Sequence, residues 1–327
     1  MKAYGKIEPY LLKKHILDKL GFNRKEILIG PKVGLDFGVI KLAKKYLIIS
    51  VDPVTGAAEE AGWYAVNISS NDIVTSGNRA QYITSTILLP KGAKEDLVDN
   101  LGRQIHEACK KLKISIVSGH TEVTPNLTNP VVVVTAFTFA KEYISSNNAK
   151  EGDLILITKG VGIEGTSLIA KFCEEILSKR EKKEALKFKD MISVVDEALT
   201  LFKLKCVNAM HDATEGGLIG GLVEMAEASN LGFKIYRDRV LVNDITYKIC
   251  DLFKLDPLKL ISSGTLIASV KREKADLALK SLEKKGIKAK IIGEFSKKDY
   301  KIIYNDKIEV VKGYIRDEYW RFLESRL

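Results

Sequence analysis

Carboxylates placed at the ends of apolar segments carry most of the chemistry this chain could perform. Asp36 lies in "GPKVGLDFGVI", where glycines at 30, 34 and 38 can bring backbone close to a ligand. Asp52 ends the apolar run Tyr46–Val51, and Asp212 sits in "HDATEGG" ahead of a helical pattern. Asp72 follows Asn71 inside an otherwise apolar helical stretch, where an Asx pair has poor propensity and so points to a side-chain task. Several carboxylates with an amide and no soft ligand suit Mg2+ held against phosphate oxygens. Taken singly, Asp52 and Asp212 fit a turn or a helix cap equally well. Asp36, Asp52 and the Asn71–Asp72 pair in one region favour the metal reading.

A second candidate is "SGHTEVTP" (118–125), which follows an apolar run and holds one of four histidines. His120, Thr121 and Glu122 could be metal ligands, nucleotide contacts or an ordinary turn. On a strand His120 and Glu122 share a face, but a third soft ligand for zinc has no evident source. In "KGVGIEGTS" (159–167), Gly160, Gly162 and Gly165 have the spacing of a dinucleotide fingerprint after a strand. The acid-tipped second strand this fingerprint needs is missing, and Thr166 stands where a P-loop has lysine. A tight strand–helix turn, with amides that could still face an anion, is the better account.

The elements that must position these residues form two halves. The first opens with a helix (Pro9–Leu20) and continues with strands at 46–53 and 82–90. Helical patterns at 59–77 and 94–112 and strands at 113–119 and 130–140 complete it. The polar stretch 141–153 reads as a linker, giving domains 1–145 and 150–327. The second half has a strand at 154–158, helices at 166–178 and about 189–204, and a loop entering a helix over 206–229. It ends with a strand–helix–strand unit and a hairpin turning at Asn305-Asp306. The expected class is α/β (α+β), with mostly antiparallel signals in the first half.

With 46 % hydrophobic and 29 % charged residues over 327, the chain has the composition of a soluble globular protein able to bury two cores. The net charge of +10 comes from lysines interspersed with acids and lacking interleaved aromatics, so no nucleic-acid partner is expected. The longest apolar run, Val131–Ala140, is β-branched and half a membrane span, and the first 21 residues lack a signal-peptide core. No membrane association and a cytoplasmic location are therefore expected. The four cysteines are scattered, which excludes a CxxC-type structural zinc site.

The order of these segments resembles the superfamily of aminoimidazole ribonucleotide synthetase (PurM), the hydrogenase maturation factor HypE, selenophosphate synthetase and thiamine-monophosphate kinase. The resemblance rests on Gly34–Asp36, the strand-end Asp52, "SSNDIVTSG", "IVSGHTEV" in the position of a Gly-(Gly/Asp/Glu)-Thr element, and "HDATEGGL", which is similar to the "RDxTRGGL" of HypE. HypE-like members show the greatest likeness. The resemblance implies a two-domain PurM-like fold whose N-terminal domain builds a β-barrel with that of a second subunit, backed by a C-terminal α/β domain. It implies ATP and Mg2+ as cofactors, with Asp36, Asp52, Asp72 and Glu122 toward the metal. Gly34, Asn71, Thr121, Asp212, Gly216, Gly217 and Lys6 would contact the nucleotide, and Asp52 and His120 are the candidates for catalytic work.

The chemistry so implied is ATP-dependent activation of a carbonyl- or amide-type oxygen, or phosphoryl transfer to a small acceptor, in a homodimer. A second reading is a hydrogenase-maturation accessory that binds ATP and a partner protein with little turnover. A third is a nucleotide sensor without catalysis. Three departures bear on these. The chain ends "RFLESRL" with its last cysteine at 250, so HypE-type modification of a C-terminal cysteine is not expected. No cysteine precedes Cys109, unlike selenophosphate synthetase. Glu215 replaces the arginine of the HypE element, reversing a charge near the expected substrate phosphate.

Overall fold

The computed structural model describes residues 4–173 and 176–326. Contacts divide them into two compact units. The smaller comprises Lys25–Gly30 and Phe37–Tyr143; the larger comprises residues 4–24, Pro31–Asp36 and 144–326. The boundary after Tyr143 lies inside the polar stretch 141–153. The opening residues, including helix α1 (Pro9–Leu12) and the π-helical turn Lys13–Leu17, pack with the larger unit rather than with the residues that follow them.

In the smaller unit, β1 (Ile27–Ile29), β2 (Gly38–Leu42) and β3 (Lys45–Val54) precede helix α2 (Ala61–Thr75). Then come β4 (Tyr82–Leu89), helix α3 (Glu95–Leu112), β5 (Ser115–Val123) and β6 (Val131–Ala140). The sheet order is β1-β2-β3-β6-β4-β5, antiparallel except for the parallel β4–β5 pair that α3 connects. Helix α3 is amphipathic: Leu101, Ile105, Ala108, Cys109 and Leu112 recur at helical spacing and are buried. Acids at 95 and 96 and lysines at 110 and 111 complement its dipole. Along β6 buried and part-exposed residues alternate, so one face of the sheet lies under the helices. Strand β5 is exposed at all nine positions, on the sheet edge.

The larger unit is built on β7 (Leu154–Thr158), α4 (Ile163–Ala170), α5 (Lys179–Leu186), α6 (Val195–Lys203), β8 (Val207–Ala213) and α7 (Gly217–Ser229). It continues with β9 (Gly232–Tyr236), α8 (Asp244–Phe253), β10 (Thr265–Val270), α9 (Ala275–Glu283) and β11 (Ala289–Ser296), then β12 (Tyr300–Tyr304), β13 (Lys307–Val310) and α10 (Glu318–Glu324). Its seven-stranded sheet runs β13-β12-β9-β11-β7-β10-β8. Ile155, Ile157, Phe233, Phe295 and Ile267 meet Leu222 and Met225 of α7 in the main core.

The mixed α/β two-domain class agrees with the sequence reading, and the hairpin turns at Asn305 and Asp306, both at positive φ. Several segments differ: the helix expected at about 189–204 is a 3-10 turn at Lys187–Met191 followed by α6 from Val195, and the opening helix is short and continues as a π-helical turn. Residues 207–213 form a strand rather than a loop, because β10 supplies backbone partners to a stretch whose polar Asn208, His211 and Asp212 hide any alternation. Helix α4 starts three residues before its expected position, where Gly162 adopts the left-handed conformation at its N-cap. The far part of the expected 166–178 helix includes residues outside those described. The turn at 159–165 is structural: the amides of Gly162 and Gly165 bond Ser262 Oγ and the Ile261 carbonyl, at 2.7 and 3.0 Å, which removes them as anion donors. Among the described residues no helix is long and apolar enough to cross a membrane.

Candidate functional site

Each unit gathers a set of acids. In the smaller unit, Asp52 is on β3 and Asp72 is on α2, where helix and strand pack together. Nearly all of α2 is buried, including Asn67, Ser69, Asn71, Asp72 and Thr75, so packing rather than propensity keeps it helical. Ser69 Oγ bonds the Val134 carbonyl of β6 at 3.1 Å and fixes the helix to the sheet. The Ser50 hydroxyl then joins the acids: it donates to Asp72 Oδ2 in a short bond and lies 3.5 Å from Asp52 Oδ2. Asn71 is fully buried beside them. β3 continues through Asp52 to Val54, so this acid projects from within a strand rather than ending one.

His120 and Glu122 share a face of β5, as their spacing implies, with Nε2 3.1 Å from Glu122 Oε2. Hydrogen bonds from His120 and Thr124 hold the Glu122 carboxyl below its usual range. Register places Asp52, Val134, Ser85 and Gly119 side by side across β3, β6, β4 and β5. Three inter-strand spacings, about 14 Å, thus separate Asp52 from the level of His120. Within one chain, His120, Thr121 and Glu122 do not share a coordination sphere with Asp52 and Asp72.

The second set lies within the larger unit, to which Asp36 belongs. Gly34, at φ 81°, packs on α7, and a Cβ there would overlap the Glu224 carbonyl. Its freedom therefore serves helix packing, and it delivers Asp36, whose side chain is 1 % exposed, to His211 of β8. His211 Nδ1 lies 2.5 Å from Asp36 Oδ1, an ion-pair contact outside hydrogen-bond geometry, while Nε2 meets Glu224 Oε2 at 3.0 Å. Burial alone would lower the His211 pKa; Asp36 and Glu224 outweigh it and push the ring up to about 10, so it is an imidazolium. Burial would raise Glu224, but Lys6 and His211 hold it well below the usual carboxylate range.

Lys6 Nζ lies 3.4 Å from both Glu224 Oε1 and Thr214 Oγ1. Its backbone is clasped by Glu215 Oε1 at 2.6 Å and the Tyr314 hydroxyl at 2.9 Å. Asp212, also buried, is next to His211 on β8. Gly216 and Gly217 both have positive φ, and a Cβ at Gly217 would lie 2.7 Å from the carbonyls of Leu258 and Leu260. Asp317 caps this turn, accepting from the Gly216 amide at 2.6 Å, and burial pushes its carboxyl up to about 7. Burial does the same to Glu164.

Sequence reasoning found Asp36 and Asp212 but missed His211 and Glu224. The only local signal was a histidine immediately before Asp212, where the HypE element has arginine.

Family models match over most of the chain: "AIR synthase related protein, N-terminal domain" over residues 34–140 and "AIR synthase related protein, C-terminal domain" over 150–305. A provisionally named hydrogenase expression/formation protein of Methanocaldococcus jannaschii is 27 % identical over 95 % of this chain and 93 % of its own length. A thiamine-monophosphate kinase of Pyrococcus abyssi is 28 % identical over 75 % and 78 %. In structure, AaThiL complexed with AMPPCP and TMP superimposes with a TM-score of 0.76 at 16 % identity, covering 94 % of this chain and 96 % of that one. HypE in complex with ATP gives 0.72 at 19 % over 95 % of each chain. The HypE–HypF complex gives 0.73 at 20 %, over 93 % of this chain and 99 % of that one. These likenesses establish the fold.

Proposed function

The chain belongs to the AIR synthase related protein family, within the PurM superfamily, and on that premise we propose that it is a Mg-ATP-dependent enzyme. Its reaction is the activation of a carbonyl- or amide-type oxygen, or of another small acceptor, by phosphoryl transfer. The observation that carries this reading is the meeting of Asp52 and Asp72 at the Ser50 hydroxyl. These donors are all oxygens, the set a hard cation prefers, so the residues fit Mg2+ held against a polyphosphate. Bound Mg2+ would neutralise charge on the transferring phosphoryl group. Asp52 and Asp72 would hold the ion, with Asn71 beside them and Ser50 fixing the carboxylates relative to each other. Gly34, Asp36, Asp212, Gly216, Gly217 and Lys6 are the proposed nucleotide contacts of the larger unit. Relatives solved with ATP and with AMPPCP support the choice of nucleotide.

His120, Thr121 and Glu122 enter this scheme through a homodimer. Among the described residues strand β5 lies at the edge of its sheet and is exposed at every position, with Ile116, Val117 and Val123 about half exposed or more. Such an edge is a template for pairing with another chain. Pairing with a second copy would cover it and close the two sheets into a barrel. His120 would then act toward nucleotide or acceptor from β5.

Calorimetry tests the proposal. Mg-ATP should bind the wild type, and Asp52→Asn and Asp72→Asn should each weaken binding at least tenfold (~1.4 kcal/mol). Unchanged binding in both variants would end the reading. A maturation accessory with little turnover is the second reading, favoured by the HypE–HypF complex. It predicts capture of a carbamoyltransferase partner with no ATPase activity in its presence.

A further inference from the structure

Helix α5 and the turn after it carry a charge that neither acid cluster uses. Lys179, Lys182, Lys183 and Leu186 recur at i, i+3, i+4 and i+7, so they share one face of the helix. Ala185 and Phe188 are buried and anchor the segment to the larger unit. At Lys187 the helix gives way to the 3-10 turn, and a cleft of about 410 Å³ opens along the junction. Among the described residues it is lined by those three lysines with Lys187 and Lys189, by Leu186, and by a single acid, Asp190.

Three features separate this cleft from an ordinary solvated surface. Its own helix does not offset its charge. The Glu181 carboxylate is drawn to Lys248 of α8 at 2.5 Å and to the Ser178 hydroxyl and amide at 2.7 and 2.9 Å, and Glu184 lies off the cleft. Secondly, the exposed Lys179, Lys183 and Lys187 follow one another at i, i+4. Like charges so spaced destabilise a helix, a cost that a bound anion would relieve. Thirdly, the walls are apolar. They are built from lysine methylene stems and Leu186, with the ammonium groups at the rim.

These features select the partner. A bare phosphate would meet the ammonium groups but leave the apolar walls unused. A nucleic-acid surface would interleave aromatics with the basic residues, and the one aromatic of 179–190, Phe188, is buried. An acidic peptide with an apolar residue among its carboxylates uses both rim and walls. We propose that this cleft docks an acidic segment of a partner protein, a short run of aspartates and glutamates interrupted by a leucine-like side chain that enters between the lysine stems. The surface uses none of the residues proposed to hold nucleotide or metal.

The test uses the full chain without nucleotide and a fluorescein-labelled peptide of aspartates and glutamates with two leucines, followed by fluorescence anisotropy. The peptide should bind, and binding should weaken as salt is raised. Replacing its leucines by serine should weaken binding about tenfold, the effect of losing a buried leucine contact. Lys183→Gln combined with Lys187→Gln should weaken it about tenfold or more. Lys284→Gln combined with Lys285→Gln, at the exposed lysines just past α9, should leave it unchanged. Circular dichroism confirms that each variant is folded, and Lys179→Gln replaces either cleft substitution that is not. No binding at low salt, equal loss in the two pairs of variants, or a serine peptide that binds as tightly would overturn the proposal. So would tripolyphosphate or oligothymidylate that competes as well as the peptide at equal charge. Because ATP is absent throughout, none of these outcomes bears on the nucleotide reading, and failed Mg-ATP binding would leave this surface standing.

Discussion

The two acid clusters solve the same problem in opposite ways. In the smaller unit, Asp52 and Asp72 share a neutral hydroxyl donor, and Asp52 remains partly exposed. In the larger unit, Asp36 and Glu224 enclose a protonated histidine, with Lys6 beyond it. The first arrangement leaves the partly exposed Asp52 within reach of an incoming cation. The second carries its own counter-charge, and it is part of the packing between β8, α7 and the Pro31–Asp36 segment. Asp52, partly exposed, can be changed at little cost to folding; an acid held against a buried cation cannot.

The largest expected effect follows directly. Asp36→Ala leaves the His211 imidazolium with one fewer partner in a buried setting and should destabilise the larger unit by about 3–5 kcal/mol. Asp52→Ala should cost the smaller unit under about 1 kcal/mol, since Asp52 is partly exposed and its approach to the Ser50 hydroxyl is a long 3.5 Å. The chain has two tryptophans, Trp63 in the smaller unit and Trp320 in the larger, so single-tryptophan variants followed by fluorescence in urea report the two separately. Equal losses in the two units would erase the contrast.

A medium effect concerns pH. Glu164 and Asp317 of the larger unit are raised to about 7 by burial. A raised acid binds more protons folded than unfolded, so its cost to stability starts above the unfolded pKa of about 4 and is complete above about 7. Stability reported by Trp320 should therefore rise as pH falls through that window. Glu164→Gln should flatten the slope, and an unchanged slope would remove Glu164 from the explanation. The signal from Trp63 should be flatter over the same range.

The smallest effect on folding is expected at β5. Val117→Lys is on an exposed strand and should shift stability by no more than about 0.5 kcal/mol. If the smaller unit dimerises through β5, sedimentation should nevertheless show the variant as a monomer. A dimeric Val117→Lys variant would move the interface elsewhere.

Local periodicity made much of this fold legible. The β-branched apolar run in 130–140, the helical spacing of 94–112 and the Asn305-Asp306 turn each contain their own signal. β8 was not legible, because Asn208, His211 and Asp212 interrupt the apolar pattern and only pairing with β10 makes the segment a strand. The same limit governed the site. Asp36, Asp52 and Asp72 stood out as acids in apolar or glycine-rich surroundings, and Ser50 brings two of them together. The partner of Asp36 is a histidine far along the chain, and spacing within a motif does not encode such a pairing. Nor did the sequence show that Glu224, an ordinary acid on the face of α7, would orient that histidine.

The division of the chain has a consequence for its birth on the ribosome. Residues 4–24 and Pro31–Asp36 belong to the larger unit, yet the entire smaller unit is translated before the strands and helices they pack against. At about 5–20 residues per second, Asp36 waits on the order of ten seconds or more for His211 to be made. The smaller unit can complete its sheet in that interval, once β6 has emerged to lie between β3 and β4. The nascent chain therefore carries a finished domain tethered to a leading segment still without its fold.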